Sequence, residues 1–167
     1  MSKRIYLCLA HMSGEEQKFI QEAFDTNWVV PMGPNVNAFE QNLADFANSN
    51  SDGSKLDRKV VCLSAGTAAV HLALIACGVK AGDEVLVQSF TFCASAHPVT
   101  YLGAKPVFVD SERDTWNMDP EALEKAFELY PDVKACVVVH LYGVPAKMDE
   151  IREICNRHGA VVIEDAA

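Results

Sequence analysis

Past Lys59 the chain alternates short apolar runs with longer amphipathic stretches. The runs are Val60-Val61-Cys62-Leu63, Glu84-Val85-Leu86-Val87, Pro106-Val107-Phe108-Val109, residues 135–139 and Val161-Val162-Ile163. Each has strand length and reads apolar on both faces. Such strands belong in a parallel sheet covered on both sides. Between them the spacing predicts helices. One spans residues 67–77 with Gly78 as its stop. A short one lies within 95–102, with Pro98 in its first turn. A third is capped by Asp119 with Pro120 at its first position and Leu123 and Phe127 on its inner face. A fourth carries Met148, Ile151, Ile154 and Cys155 and closes at Gly159. The expected fold class is therefore α/β, a mostly parallel sheet with helices on both faces and right-handed crossovers.

The first part reads differently. Ser13-Gly14-Glu15-Glu16 is a capping box, followed by Phe19, Ile20, Ala23 and Phe24 on one helical face. Residues 27–35 hold two prolines and a glycine and read as a loop. Val36, Phe39, Leu43, Phe46 and Ala47 mark a second helix, and residues 48–58 form a connector rich in Asn, Ser and Asp. The expected division is residues 1–58, a helical segment with its connector, and 59–167, five β-α units.

Composition narrows the function. Of the 167 residues, half are hydrophobic and 22% charged, which suits a packed domain. The net charge of −9 repels phosphate backbones and argues against a general nucleic-acid binder. A local anion pocket built from backbone N–H groups remains open. No apolar run reaches the roughly 20 residues that span a bilayer. The start, Met1-Ser2-Lys3-Arg4-Ile5, lacks the apolar core of a leader. The six cysteines form no C-x-x-C pair. They read as free thiols in a reducing cytoplasm.

Ligands of open parallel sheets bind beyond the carboxyl ends of the strands. That rule selects Ser64-Ala65-Gly66-Thr67-Ala68, then Gln88-Ser89-Phe90-Thr91-Phe92, then Asp110, His140 and Asp165. The first is a small-residue turn opening a helix, where free N–H groups and a partial positive charge favour a phosphate. An ordinary turn with Thr67 as N-cap is the alternative. Phe92 would stack on a planar ring or pack beneath the next helix. Asp165 would pair with a cation, hold a metal, accept a phosphoryl group or cap a helix. Glu164, its neighbour, should point to the other face. His140 is a candidate polar group on the same edge. The sequence carries no Walker A, G-x-G-x-x-G, H-E-x-x-H or G-x-S-x-G motif, and the scattered histidines show no metal-ligand spacing.

Taken in order, these segments resemble the sugar aminotransferases of the DegT/DnrJ/EryC1/StrS family, which use pyridoxal 5′-phosphate (PLP). The matching stretches include Gly33-Pro34-Asn35-Val36 and residues 64–74. They continue with Ser89-Phe90-Thr91-Phe92, residues 101–110, Asp114-Thr115-Trp116-Asn117, His140-Leu141-Tyr142-Gly143 and Ile163-Glu164-Asp165-Ala166-Ala167. The resemblance implies the PLP-dependent transferase fold type I large domain, truncated. Gly66, Thr67 and the N–H of Ala68 would bind the cofactor phosphate. Phe92 would stack on the pyridine ring, and Asp165 would hold its nitrogen protonated and so serve catalysis. The implied reaction moves an amino group, from glutamate, to a keto group of a nucleotide-linked sugar for polysaccharide or glycan synthesis. The implied protein is cytoplasmic and homodimeric, with active sites at the subunit interface.

The resemblance also sets expectations of absence. The lysine that links to the cofactor as a Schiff base falls after residue 167 in the family, so the chain alone should be inactive. Sugar dehydratases of the family, with histidine at that position, and a non-catalytic binding fragment are the alternative readings. The strand expected at 60–63 would lack its family neighbour, leaving an open edge that invites oligomerisation or local disorder.

Overall fold

The structure is a computed structural model that describes Arg4, residues 10–49 and residues 56–167. Cys8 and most of the expected connector lie outside the described residues. The chain divides into two compact units, Met1–Cys62 and Leu63–Ala167.

The first unit holds helices α1 (Glu16–Asp25) and α2 (Pro34–Asn48). Glu15, not Ser13, is the N-cap of α1, and no side chain caps it, so only the returning half of the expected capping box forms. The Glu16 carboxylate accepts the N–H groups of Ser13 at 2.6 Å and Gly14 at 2.9 Å. The Ser13 hydroxyl accepts from Glu15 N–H rather than from Glu16. These donors, with Glu16's own N–H foremost, hold its carboxyl down at about 2. The second helix starts at Pro34, inside the stretch read as loop, because proline's fixed φ and missing N–H suit a first helical position. Neither helix buries a residue.

The second unit is a four-stranded parallel sheet. Its strands are β1 (Glu84–Gln88), β2 (Lys105–Val109), β3 (Ala135–Val139) and β4 (Val161–Asp165), in the order β2-β1-β3-β4. Helices α3 (Gly66–Ala76) and α4 (His97–Tyr101) pack on one face. Helices α5 (Pro120–Leu129) and α6 (Met148–His158) pack on the other. The period of two sorts the side chains. Val85 and Val87 of β1 and Ala135 and Val137 of β3 join the α3/α4 core. Leu86, Cys136 and Val138 join the α5/α6 core. Both central strands are thus buried on both faces, which is why they read as unbroken apolar runs.

Chain punctuation fixes the helix ends. Asp119 Oδ1 accepts Glu121 N–H at 2.9 Å and caps α5. Gly78 and Gly159 follow α3 and α6 in left-handed conformation. Each allows paired bonds from the next two N–H groups back into the last turn, such as Val79 N–H to Leu74 C=O and Ala160 N–H to Cys155 C=O.

One expected strand does not form. Residues 60–63 are irregular, so the sheet has four strands rather than five. An apolar tetrapeptide becomes a strand only when a ladder takes up its backbone groups. Here Cys62 N–H goes instead to the Glu40 carboxylate at 2.7 Å, and Val61 is exposed. The open edges of the sheet are β2 and β4.

Candidate functional site

Four parallel strands bring their carboxyl ends to one edge. The segments that follow them carry the candidate residues. Helix α3 opens this edge. It begins at Gly66, with Ala65 as N-cap and no side chain capping it, so Thr67 sits in the first turn and is not the cap. The N–H groups of Gly66 and Thr67 have no intrahelical acceptor. Ala68 N–H is already spent on Ala65 C=O at 3.0 Å. The donors this turn offers are therefore Gly66 N–H, Thr67 N–H and the Thr67 hydroxyl. A Cβ built on Gly66 would stand 3.9 Å from Ala167 Cβ, which brings the helix start beside the end of β4.

Asp165 ends β4. Its Oδ2 accepts the Ser95 hydroxyl at 2.7 Å and its Oδ1 accepts Ala167 N–H at 3.2 Å. Ser95 lies in the short 3-10 turn Cys93–Ser95, which packs against α3, and its hydroxyl shares a 2.8 Å bond with Thr91. Two neutral donors thus orient the Asp165 carboxylate. Among the described residues no cationic side chain pairs with it. Phe92 immediately precedes the 3-10 turn. It is 77% exposed, so packing beneath the following helix is not its place.

The strand alternation sends Glu164 the other way. Its carboxylate accepts from Arg152 at 2.5 Å and meets His140 Nε2 at 3.1 Å. Partial burial pushes the Glu164 carboxyl up. The hydrogen bonds from Arg152 and His140 pull it down further, and the balance lies below the usual carboxylate range. His140 therefore hydrogen-bonds to the Arg152–Glu164 pair on the α6 face. Asp110, exposed after β2, accepts the N–H of Ser111. Among the described residues no three His, Cys, Asp or Glu side chains converge as a metal site.

Gln88, Thr91 and Asn117 lie in stretches the sequence singles out without giving them a role, and Ser95 is placed there only at the start of a short helix. Buried Gln88 accepts Met118 N–H at 2.9 Å and donates to Phe90 C=O. Buried Asn117 accepts Leu141 N–H and donates to Val144 C=O, tying together the segments after β2 and β3. Thr91 and Ser95, spaced i and i+4 after a strand, are the only local trace of this layer.

The donor set fits a phosphorylated, cationic aromatic ring. Open N–H groups and a hydroxyl suit a phosphate. An exposed phenyl suits a flat ring. A carboxylate oriented by neutral donors suits a ring N–H⁺.

Comparison with known proteins agrees with this reading. The DegT/DnrJ/EryC1/StrS aminotransferase family matches residues 10–167. EpsN of Bacillus subtilis strain 168, which carries the provisional name of a pyridoxal phosphate-dependent aminotransferase, is 50% identical over all of this chain and 42% of its own length. GDP-perosamine synthase of Caulobacter vibrioides is 40% identical over 98% of this chain and 42% of its own. The structure of the Escherichia coli GDP-4-keto-6-deoxy-D-mannose-3-dehydratase with bound hydrated PLP superposes with a TM-score of 0.81 at 28% identity. That match covers 96% of this chain and 40% of the dehydratase. The chain thus spans about two fifths of the length of these relatives.

Proposed function

The chain belongs to the DegT/DnrJ/EryC1/StrS aminotransferase family, and from that premise we propose that its strand-end edge is the PLP-binding portion of a sugar aminotransferase. The observation that carries this reading is Asp165, aimed by Ser95 and Ala167 and, among the described residues, left without a cation of its own. Bound there, PLP supplies an electron-accepting ring for chemistry at the amino-acid Cα.

The chain's own residues do the rest. Gly66 and Thr67 donate N–H groups to the phosphate at the positive end of α3, and the Thr67 hydroxyl adds a third donor. Phe92 covers one ring face. The Asp165 carboxylate holds a proton on the ring nitrogen, because an adjacent negative charge favours the protonated form. Ser95 and Thr91 keep that carboxylate from turning away. The substrates are a nucleotide-linked keto sugar and an amino-acid donor, glutamate. The relatives' names and the family support the sugar class.

We assign attachment in this segment to reversible contacts. Lys105 begins β2, and Lys80 and Lys134 precede β1 and β3, at the edge opposite the site. Lys147 is the N-cap of α6, and its charge adds slightly to the lowering of the Glu112 carboxyl that the Thr115 hydroxyl leads. The five described cysteines are free, which supports a reducing cytoplasm. Exposed apolar side chains on α1 and α2, among them Phe19, Phe24, Phe39 and Phe46, support a homodimer.

An absorbance titration with PLP tests the site. Saturable binding, weakened by Thr67→Val and spectrally altered by Asp165→Asn, is expected, with no label fixed by borohydride. Identical titrations for all three proteins would contradict the site, and a borohydride-fixed label would contradict the lysine assignment.

A further inference from the structure

We propose that His140 is the positioning residue for Asp165, acting through β4 from the face opposite the site; this rests on the PLP reading above. His140 touches the end of β4 twice. Its backbone N–H donates to Asp165 C=O at 3.0 Å. Its ring Nε2 lies 3.1 Å from Glu164 Oε2. The remaining ring nitrogen, Nδ1, accepts Ala146 N–H at 3.1 Å.

These contacts fix the ring's chemistry. A backbone N–H can only donate, so Nδ1 carries no proton. The ring is then the neutral Nε2–H tautomer, and it donates to Glu164. Arg152 of α6 holds the other oxygen of the same carboxylate. His140 therefore ties three pieces together: the segment that returns to α6 through Ala146, the Glu164 side chain, and the backbone of Asp165. Side chains of neighbouring strand residues point to opposite faces. Locking Glu164 toward α6 consequently turns Asp165 toward Ser95 and the α3 start. Ser95 alone cannot do this, because it grips the carboxylate and leaves the strand end free to twist.

The test uses the full chain and 15N-labelled PLP. In the unmodified protein the ring nitrogen should read as protonated, and His140 should show the Nε2–H tautomer by side-chain nitrogen NMR. His140→Phe removes both ring contacts. It should weaken PLP about tenfold, the lower end of what orienting partners of ligating side chains control. It should also lower the pH at which the pyridine nitrogen loses its proton. His140→Gln, which can still donate to Glu164, should restore most of both. Glu164→Ala should shift the nitrogen titration in the same direction as His140→Phe, and it keeps the test alive if that variant does not fold. Affinity for inorganic phosphate, read at the α3 amides, should stay unchanged in every variant. An Nδ1–H tautomer, or a His140→Phe or Glu164→Ala protein whose ring nitrogen titrates as in the parent, would overturn the positioning role alone. A parent protein whose spectrum PLP does not perturb would overturn the functional reading, and this role with it.

Discussion

Glu164 and Asp165 are neighbours in sequence and opposites in circumstance. Glu164 faces α6, where Arg152 and His140 occupy both its oxygens. Asp165 faces α3 and the 3-10 turn, where, among the described residues, only neutral donors reach it. One carboxylate is satisfied within the fold and serves as a rivet. The other is oriented but not neutralised, and it retains the capacity to hold a foreign cation. The same contrast runs through the two faces. The α5/α6 side carries further ion pairs, such as Arg157 with Glu124 and Glu153. The α3/α4 side offers a small-residue turn, N–H groups with no acceptor among the described residues, and an exposed phenyl ring. A single residue's step along β4 separates scaffold from site.

Four substitutions sharpen that contrast. Asp165→Asn should have the largest effect, about a thousandfold in the proton affinity of the bound cofactor's ring nitrogen, or ~4 kcal/mol at ~1.4 per tenfold. A pH titration of the bound cofactor's absorbance would show it, with thermal stability unchanged. Next come the cores. Leu74→Ala on the site face and Ile151→Ala on the scaffold face each remove a fully buried side chain. Each should cost about 3 kcal/mol in denaturant unfolding. Only Leu74→Ala should also weaken PLP, because it loosens the seat of α3. Asp119→Ala deletes the α5 cap and should cost about 1 kcal/mol without altering PLP affinity.

The smallest effect concerns Glu164 and pH. Its carboxyl is lowered in the folded state from an ordinary value of 4.5. The stabilisation it supplies is therefore complete above that value and lost as pH falls through the lower folded one. The site is partly exposed, so solvent screening holds the effect under about 0.5 kcal/mol. Urea midpoints measured from pH 6 down to 3 should fall slightly less steeply in Glu164→Gln. A steeper fall in the variant would reverse the sign.

The legible parts of this molecule are those that neighbours along the chain determine. Buried central strands announced themselves because β1 and β3 are apolar on both faces. The helix stops at Gly78 and Gly159, and the cap at Asp119, were legible because left-handed glycines and a capping carboxylate act within a turn. Alternation alone separated Glu164 from Asp165. What escaped the sequence is nonlocal. Residues 60–63 have the composition of a strand, but pairing depends on a ladder that composition cannot supply. Ser95 grips a carboxylate 70 positions away, and Asn117 joins two loops through a buried amide. No periodicity encodes such a partner. The spacing starts the helix at Thr67, with a capping role for that residue as the alternative, whereas the helix opens one residue earlier. That shift moves the available donors to Gly66 and Thr67 and takes Ala68 N–H into the helix.

The most direct measurement is a difference electron-density map from crystals of the protein grown with PLP. The account predicts the phosphate on the N–H groups of Gly66 and Thr67, the ring against Phe92, and the pyridine nitrogen within hydrogen-bonding distance of Asp165. A cofactor seated elsewhere, or turned so that its nitrogen meets no carboxylate, would contradict it.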